Sequence, residues 1–180
     1  DDRLYPSRGL LFGFGLRGAS TALLSDLDFV QGTLQLKGVY APNEVSRFIA
    51  RGDAGATLIG QGFEQLPTSL RFFTGGDASV RGYAYNSIGP TDDEGTVIGG
   101  KNLLVGSLEY EHRVWDGWSV AAFVDAGDAF DDETPAMKTG VGLGLRWRSP
   151  VGPVRLDFAS GLDRPPGDTF RFSFSIGPDL

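Results

Sequence analysis

The chain has 180 residues, enough for one domain, and 41% of them are hydrophobic, yet no run approaches the roughly 20 apolar residues that a membrane helix needs. A formal charge of -7 leaves no basic face for nucleic acid, and the absence of cysteine excludes disulfides and thiol-ligated metals. The first residues, Asp1-Asp2-Arg3, follow no charged-then-apolar leader and read as a processed product or an excised segment.

In chain order, the residues alternate with period two and not with the helical period. The first segment, about 9 to 20, sets Leu10, Phe12, Phe14 and Leu16 against Gly13, Gly15 and Arg17. A second spans about 26 to 40 and a third about 45 to 58, where Phe48, Ala50, Ala54 and Leu58 oppose Arg47, Arg51 and Asp53. Residues 59 to 100 then form a link far longer than a hairpin, without low complexity, and such loops are functional or disordered. Its Arg71-Phe72-Phe73, Gly75-Gly76 and Val80-Arg81-Gly82-Tyr83 predict order, with Tyr83 and Tyr85 packed on a wall.

Beyond the link, a segment at about 101 to 115 sets Leu104, Leu108 and Tyr110 against Ser107, Glu109 and Glu111, and one at about 117 to 129 sets Val120, Ala122 and Val124 against Phe123 and Asp125. Residues 137 to 148 place an aliphatic face opposite Lys138, three glycines, Arg146 and Arg148. After the Ser149-Pro150-Val151-Gly152-Pro153 turn come Val154, Leu156 and Phe158 against Arg155 and Asp157, and finally Phe170, Phe172, Phe174 and Ile176 on a strand at about 168 to 176. That makes about eight strands long enough to cross a bilayer when tilted. Only a closed ladder satisfies strand backbone in lipid, so the expected fold is an all-β, antiparallel transmembrane β-barrel comprising one domain, 1 to 180. A lumen lined by small and charged residues places Glu109 and Asp125 inside, where a buried carboxylate needs a cation.

The run from Leu66 through Arg71-Phe72-Phe73, Gly75-Gly76 and Val80-Arg81-Gly82-Tyr83 to Ile88-Gly89-Pro90 resembles the sixth extracellular loop of the BamA/TamA superfamily, and its Leu66-to-Phe73 lead-in is nearer to TamA. Ser107-Leu108-Glu109-Tyr110, Phe123-Val124-Asp125-Ala126-Gly127, the stretch Gly142 to Pro153 and the terminal Ser175 to Leu180 resemble the family in the same order. The resemblance implies an outer-membrane protein that assembles or translocates other proteins without a cofactor. It also implies a loop tip, Val80, Arg81, Gly82 and Tyr83, folded into the lumen with Arg81 paired to Glu109 and Asp125. Its partners would be the lipid bilayer, client outer-membrane or secreted proteins, and periplasmic domains. The family precedes its 16-strand barrel with periplasmic POTRA domains, and this chain holds none. It is therefore expected either to close alone on about eight strands, with the loop displaced outside, or to supply half of a larger barrel, with a homodimer completing it.

Three alternatives stand beside that reading: the barrel anchor and exit pore of a patatin-like secreted enzyme, an isolated scaffold barrel without transport activity, and a soluble lipocalin-like binder. Enzymatic chemistry is not expected of the chain itself. His112 is its single histidine and falls on the apolar-facing side, which leaves neither a usual zinc set nor a convincing triad. Asp92-Asp93-Glu94 and Asp131-Asp132-Glu133 lack calcium-loop spacing and read as solvated turns.

Overall fold

The computed structural model describes residues 5–23, 25–60, 62–131, 134–150, 152–164 and 170–177. Eight strands follow one another: β1 (Arg8–Ala19), β2 (Phe29–Tyr40), β3 (Ser46–Ile59), β4 (Asn102–Trp115), β5 (Trp118–Phe130), β6 (Lys138–Ser149), β7 (Gly152–Gly161) and β8 (Phe170–Ile176). Each pairs antiparallel with the next in a single sheet ordered β1 to β8. The second strand begins later than its periodicity suggests because Asp28 closes the β1–β2 turn. Its carboxylate accepts hydrogen bonds from the Ser20 hydroxyl (2.9 Å), the Thr21 amide (2.8 Å) and the Thr21 hydroxyl (2.8 Å). These bonds hold that carboxyl below its ordinary pKa.

The two ends of the sheet differ. At one end β2–β3, β4–β5 and β6–β7 are joined by tight turns, and at the other the links include the long segment between Ile59 and Asn102. That asymmetry is the one seen in outer-membrane barrels. Near the tight-turn end Tyr40 pairs with Phe48 and Phe48 with Tyr110, while Trp118 and Trp147 stack at 5.6 Å. Aromatic rings gathered there suit a membrane–water boundary, and His112 joins them through its Nδ1, 3.2 Å from the Tyr110 hydroxyl.

Burial is inverted relative to a water-soluble protein. Gln31, Arg47, Glu109, Glu111, Asp125, Arg146 and Asp157 are buried, whereas Leu10, Phe12, Phe14, Leu16, Leu58, Leu108, Phe158 and Phe170 are exposed. An outer face this apolar would be unstable in water and is at home in hydrocarbon, which argues against the lipocalin-like alternative.

Between the two expected forms, closed alone or open as part of a larger barrel, the sheet takes the open one. Among the described residues β1 and β8 are not paired, so both carry a free edge. The long loop is not displaced outside but lies on the polar inner face. A closed ring of eight strands has an interior just wide enough for its own side chains, so the loop and closure compete for the same volume.

Candidate functional site

The loop is a folded unit before it meets the wall. At its base the Arg71 guanidinium donates to the carbonyls of Leu66 (2.9 Å), Glu64 (2.9 Å) and Ile98 (3.2 Å) and lies 4.8 Å from the centre of the Phe63 ring. Phe72 exchanges backbone hydrogen bonds with Gly100 at 2.9 and 2.8 Å, and Thr74 bridges Ile88. Val80, Tyr83 and Ile88 then pack with Val105 of β4 into a small apolar core. Arg71→Ala removes three carbonyl partners at once, and we expect the loop to be cut at least about tenfold faster in limited proteolysis, since each such bond is worth ~1 kcal/mol. An unchanged cleavage rate would show that the wall alone holds the loop.

The wall makes room for the loop by carrying glycine where the two meet. A Cβ on Gly55 of β3 would lie 2.4 Å from the Phe72 ring, one on Gly161 of β7 would lie 2.8 Å from the Tyr83 ring, and one on Gly140 of β6 would lie 1.9 Å from the Arg81 carbonyl oxygen. The glycine-rich inner face therefore serves as a socket. Gly82 at the tip has φ of +92° and a would-be Cβ 2.6 Å from the Ser160 backbone, so both conformation and space require glycine there.

Into this socket the tip delivers Arg81. Its Nε and Nη2 bind the two Asp125 oxygens at 2.7 and 2.9 Å, its Nη1 binds Glu109 at 2.6 Å, and its own backbone amide donates to Asp125 at 3.1 Å. The guanidinium also lies 3.4 Å from the centre of the Phe123 ring. Planar forked donors suit this two-oxygen grip in a way that a lysine ammonium does not. Ser107 donates to Asp125 as well, so that carboxylate, 0% exposed, is fully engaged.

Arg146 and Asp157, which sequence reasoning left without a role, complete the cluster. Arg146 of β6 holds the other Glu109 oxygen at 2.7 Å and Asp157 of β7 at 2.7 Å, and it approaches Glu111 at 3.5 Å. Glu111 in turn holds Arg47 of β3 at 2.7 Å and accepts from the Tyr5 hydroxyl at 3.0 Å. A ladder of alternating charge thus crosses β3 to β7 with the loop arginine at its centre. Period-two alternation places Arg146 and Asp157 on the inner face of the neighbouring strands β6 and β7, but Glu109 and Glu111, which Arg146 also meets, sit on β4, and only the curvature of the sheet brings them together.

A second anchor sits beside the tip. Tyr83, 7% exposed, donates to the Thr139 carbonyl and to Asp163, each at 3.2 Å, and accepts from the Asp163 amide at 3.1 Å. Arg164 donates to the Gly82 carbonyl at 2.9 Å. The Thr139 amide, donating at 2.8 Å, holds the Asp163 carboxyl below its ordinary range, and burial pushes the Tyr83 phenol up. Tyr85 departs from expectation: it is 82% exposed and does not pack on the wall. It lies in the turn 84–87, where Asn86 adopts φ of +54° and strand alternation no longer governs direction.

Asp92 accepts from the amides of Glu94 and Thr96, which makes it a turn-forming residue. Of the second acidic run, Asp132 and Glu133 lie outside the described residues, as do Pro178 to Leu180. Among the described residues no group of His, Cys, Asp and Glu is arranged to hold a metal ion.

Compared with known proteins, residues 1–179 match the family model described as the Omp85 superfamily domain. The chain is 31% identical, over 98% of its length, to the outer membrane protein assembly factor BamA of Nitratidesulfovibrio vulgaris, and 26% identical over 98% to that of Neisseria meningitidis. It spans only 24% and 27% of those two proteins. Its fold is similar to the crystal structure of BamA from Haemophilus ducreyi lacking POTRA domains 1-3, with a TM-score of 0.77 and 22% identity over 96% of this chain and 39% of that one.

Proposed function

The chain belongs to the Omp85 superfamily of outer-membrane β-barrel proteins, and from that premise we propose that it is the C-terminal barrel segment of a machine that assembles other outer-membrane proteins. The observation that carries this reading is the pairing of a rigid wall with free edges. Arg81 ties the loop to strands β4 and β5, bracing the sheet from inside, while β1 and β8 keep unpaired backbone groups to which another strand can add. The work is mechanical, so the chain performs no enzymatic reaction and needs no cofactor. Its partners are the bilayer, client strands, and periplasmic domains supplied by sequence outside this chain. A second copy joined edge to edge would make a barrel of about 16 strands, a size with room for the loop.

The named relatives are assembly factors, which supports insertion of clients over a TamA-type translocation role; the lead-in Leu66 to Phe73 is what favours the latter. The test is reconstitution of the chain in liposomes with an unfolded client barrel. Folding of the client, read by its heat-dependent gel mobility, should run faster than in protein-free liposomes. Equal rates in the two preparations would count against the reading.

A further inference from the structure

On the inner side of the β8 edge, a cleft of about 560 Å³ opens between the strand and the loop, lined by Gly76, Asp77, Tyr83, Tyr85 and Arg171 with the flanking Phe170 and Phe172. Arg171 faces inward: it pairs in register with the buried Ala159 of β7, while Phe170 and Phe172 on either side of it are exposed on the outer face. Its Nε is buried without a hydrogen-bond partner, and it makes no ion pair with any described residue, Asp77 across the cleft included. Arg47, Arg51, Glu111, Arg155 and Asp157 also carry a buried polar atom without a hydrogen bond, but each of them has another partner, so the guanidinium of Arg171 beside a free strand edge calls for a partner that arrives from outside the sheet.

We infer that Arg171 selects an incoming client strand by an acidic side chain on that strand's lumen-facing side. This rests on the assembly reading above and names what the β8 edge would recognise. A strand added to β8 places alternate side chains into the lumen, and the one opposite Arg171 would have its Cβ about 4.5–5.5 Å away, within reach of a carboxylate–guanidinium pair. Charge complementarity speaks against this chain's own β1, or that of a second copy, as the occupant. The inner face of β1 carries Gly9, Leu11, Gly13, Gly15 and Arg17, which offer Arg171 no carboxylate and one like charge. Because Arg171 has no partner to leave stranded, its replacement should not disturb folding.

The test uses the full chain carrying Ser173→Cys, an inward position two residues along β8, and strand peptides bearing one cysteine to meet it. The peptides differ only in the residue that would face Arg171: Glu, Gln or Lys. Disulfide capture of the Glu peptide should exceed the other two by about tenfold, the factor that one charge-assisted hydrogen bond supplies. Arg171→Gln should abolish the preference, and Arg171→Glu should transfer it to the Lys peptide. Equal capture of all three peptides by the unsubstituted arginine would overturn the inference while leaving edge pairing intact. No capture of any peptide would remove edge pairing at β8 itself. Capture of a second Ser173→Cys chain in preference to every peptide would make a copy of this chain the occupant.

Discussion

Replacing Arg81 with alanine will unseat the loop tip, at a cost of about 3–5 kcal/mol to the seated state, the usual penalty for removing one member of a buried ion pair. The loss falls unequally on its two carboxylates. Glu109 keeps Arg146 at 2.7 Å, whereas Asp125, fully buried, loses its one ion-pair partner among the described residues and retains only neutral donors, the Ser107 hydroxyl and the backbone amide of residue 81. Loss of the contact with the Phe123 ring adds to this, since a desolvated cation over an aromatic face is worth up to ~2 kcal/mol. The asymmetry makes the origin of the loss measurable. Asp125→Asn added to Arg81→Ala should recover much of the stability, because the stranded charge is gone, while Glu109→Gln should recover little. Denaturant unfolding in detergent, with cleavage between residues 66 and 90 as the local readout, separates the two. Equal recovery by both second substitutions would mean that Asp125 is not the uncompensated charge. Arg81→Lys should fall between, since a single ammonium reproduces the attraction but not the three-directional grip.

The sequence already shows why this site exists and where it lies, though not how far it extends. Period-two alternation assigns Glu109 and Asp125 to the inner face because a strand has only two faces, and a one-residue error would have sent Leu108 and Val124 inside. The same alternation orients Phe170, Phe172 and Phe174 outward. Where the chain leaves regular strand geometry this logic stops. Tyr83 and Tyr85 are two apart and would share a face on a strand, yet one is buried and the other exposed because the backbone turns between them. The link from Arg146 to Glu109 spans β6 to β4, and nothing local to either residue encodes it. Openness of the sheet is likewise non-local. It follows from the volume of the loop competing with closure, which no single strand reveals.

Gly140→Ala provides the complementary experiment, because it unseats the same tip without removing any charge. The added Cβ would lie 1.9 Å from the Arg81 carbonyl oxygen, and contacts below 3.0 Å essentially do not occur, so the tip must retreat by about 1 Å. It has little freedom to do so sideways. Gly82 next to it already abuts the Ser160 backbone, and Val80 ahead of it is completely buried. Retreat by that distance stretches the Arg81 hydrogen bonds, now 2.6 to 2.9 Å, beyond useful length and leaves two buried carboxylates facing a gap. A single methyl group should therefore destabilise the seated loop by a few kcal/mol, comparable to Arg81→Ala. Combined with Arg81→Ala it should add almost nothing, since both act on one event. Gly106 of β4 is the control: its would-be Cβ meets nothing within 4 Å, so Gly106→Ala should leave cleavage of the loop unchanged. If Gly140→Ala and Gly106→Ala behave alike, the tip is not seated against β6, and the braced wall on which the assembly reading depends is lost with it.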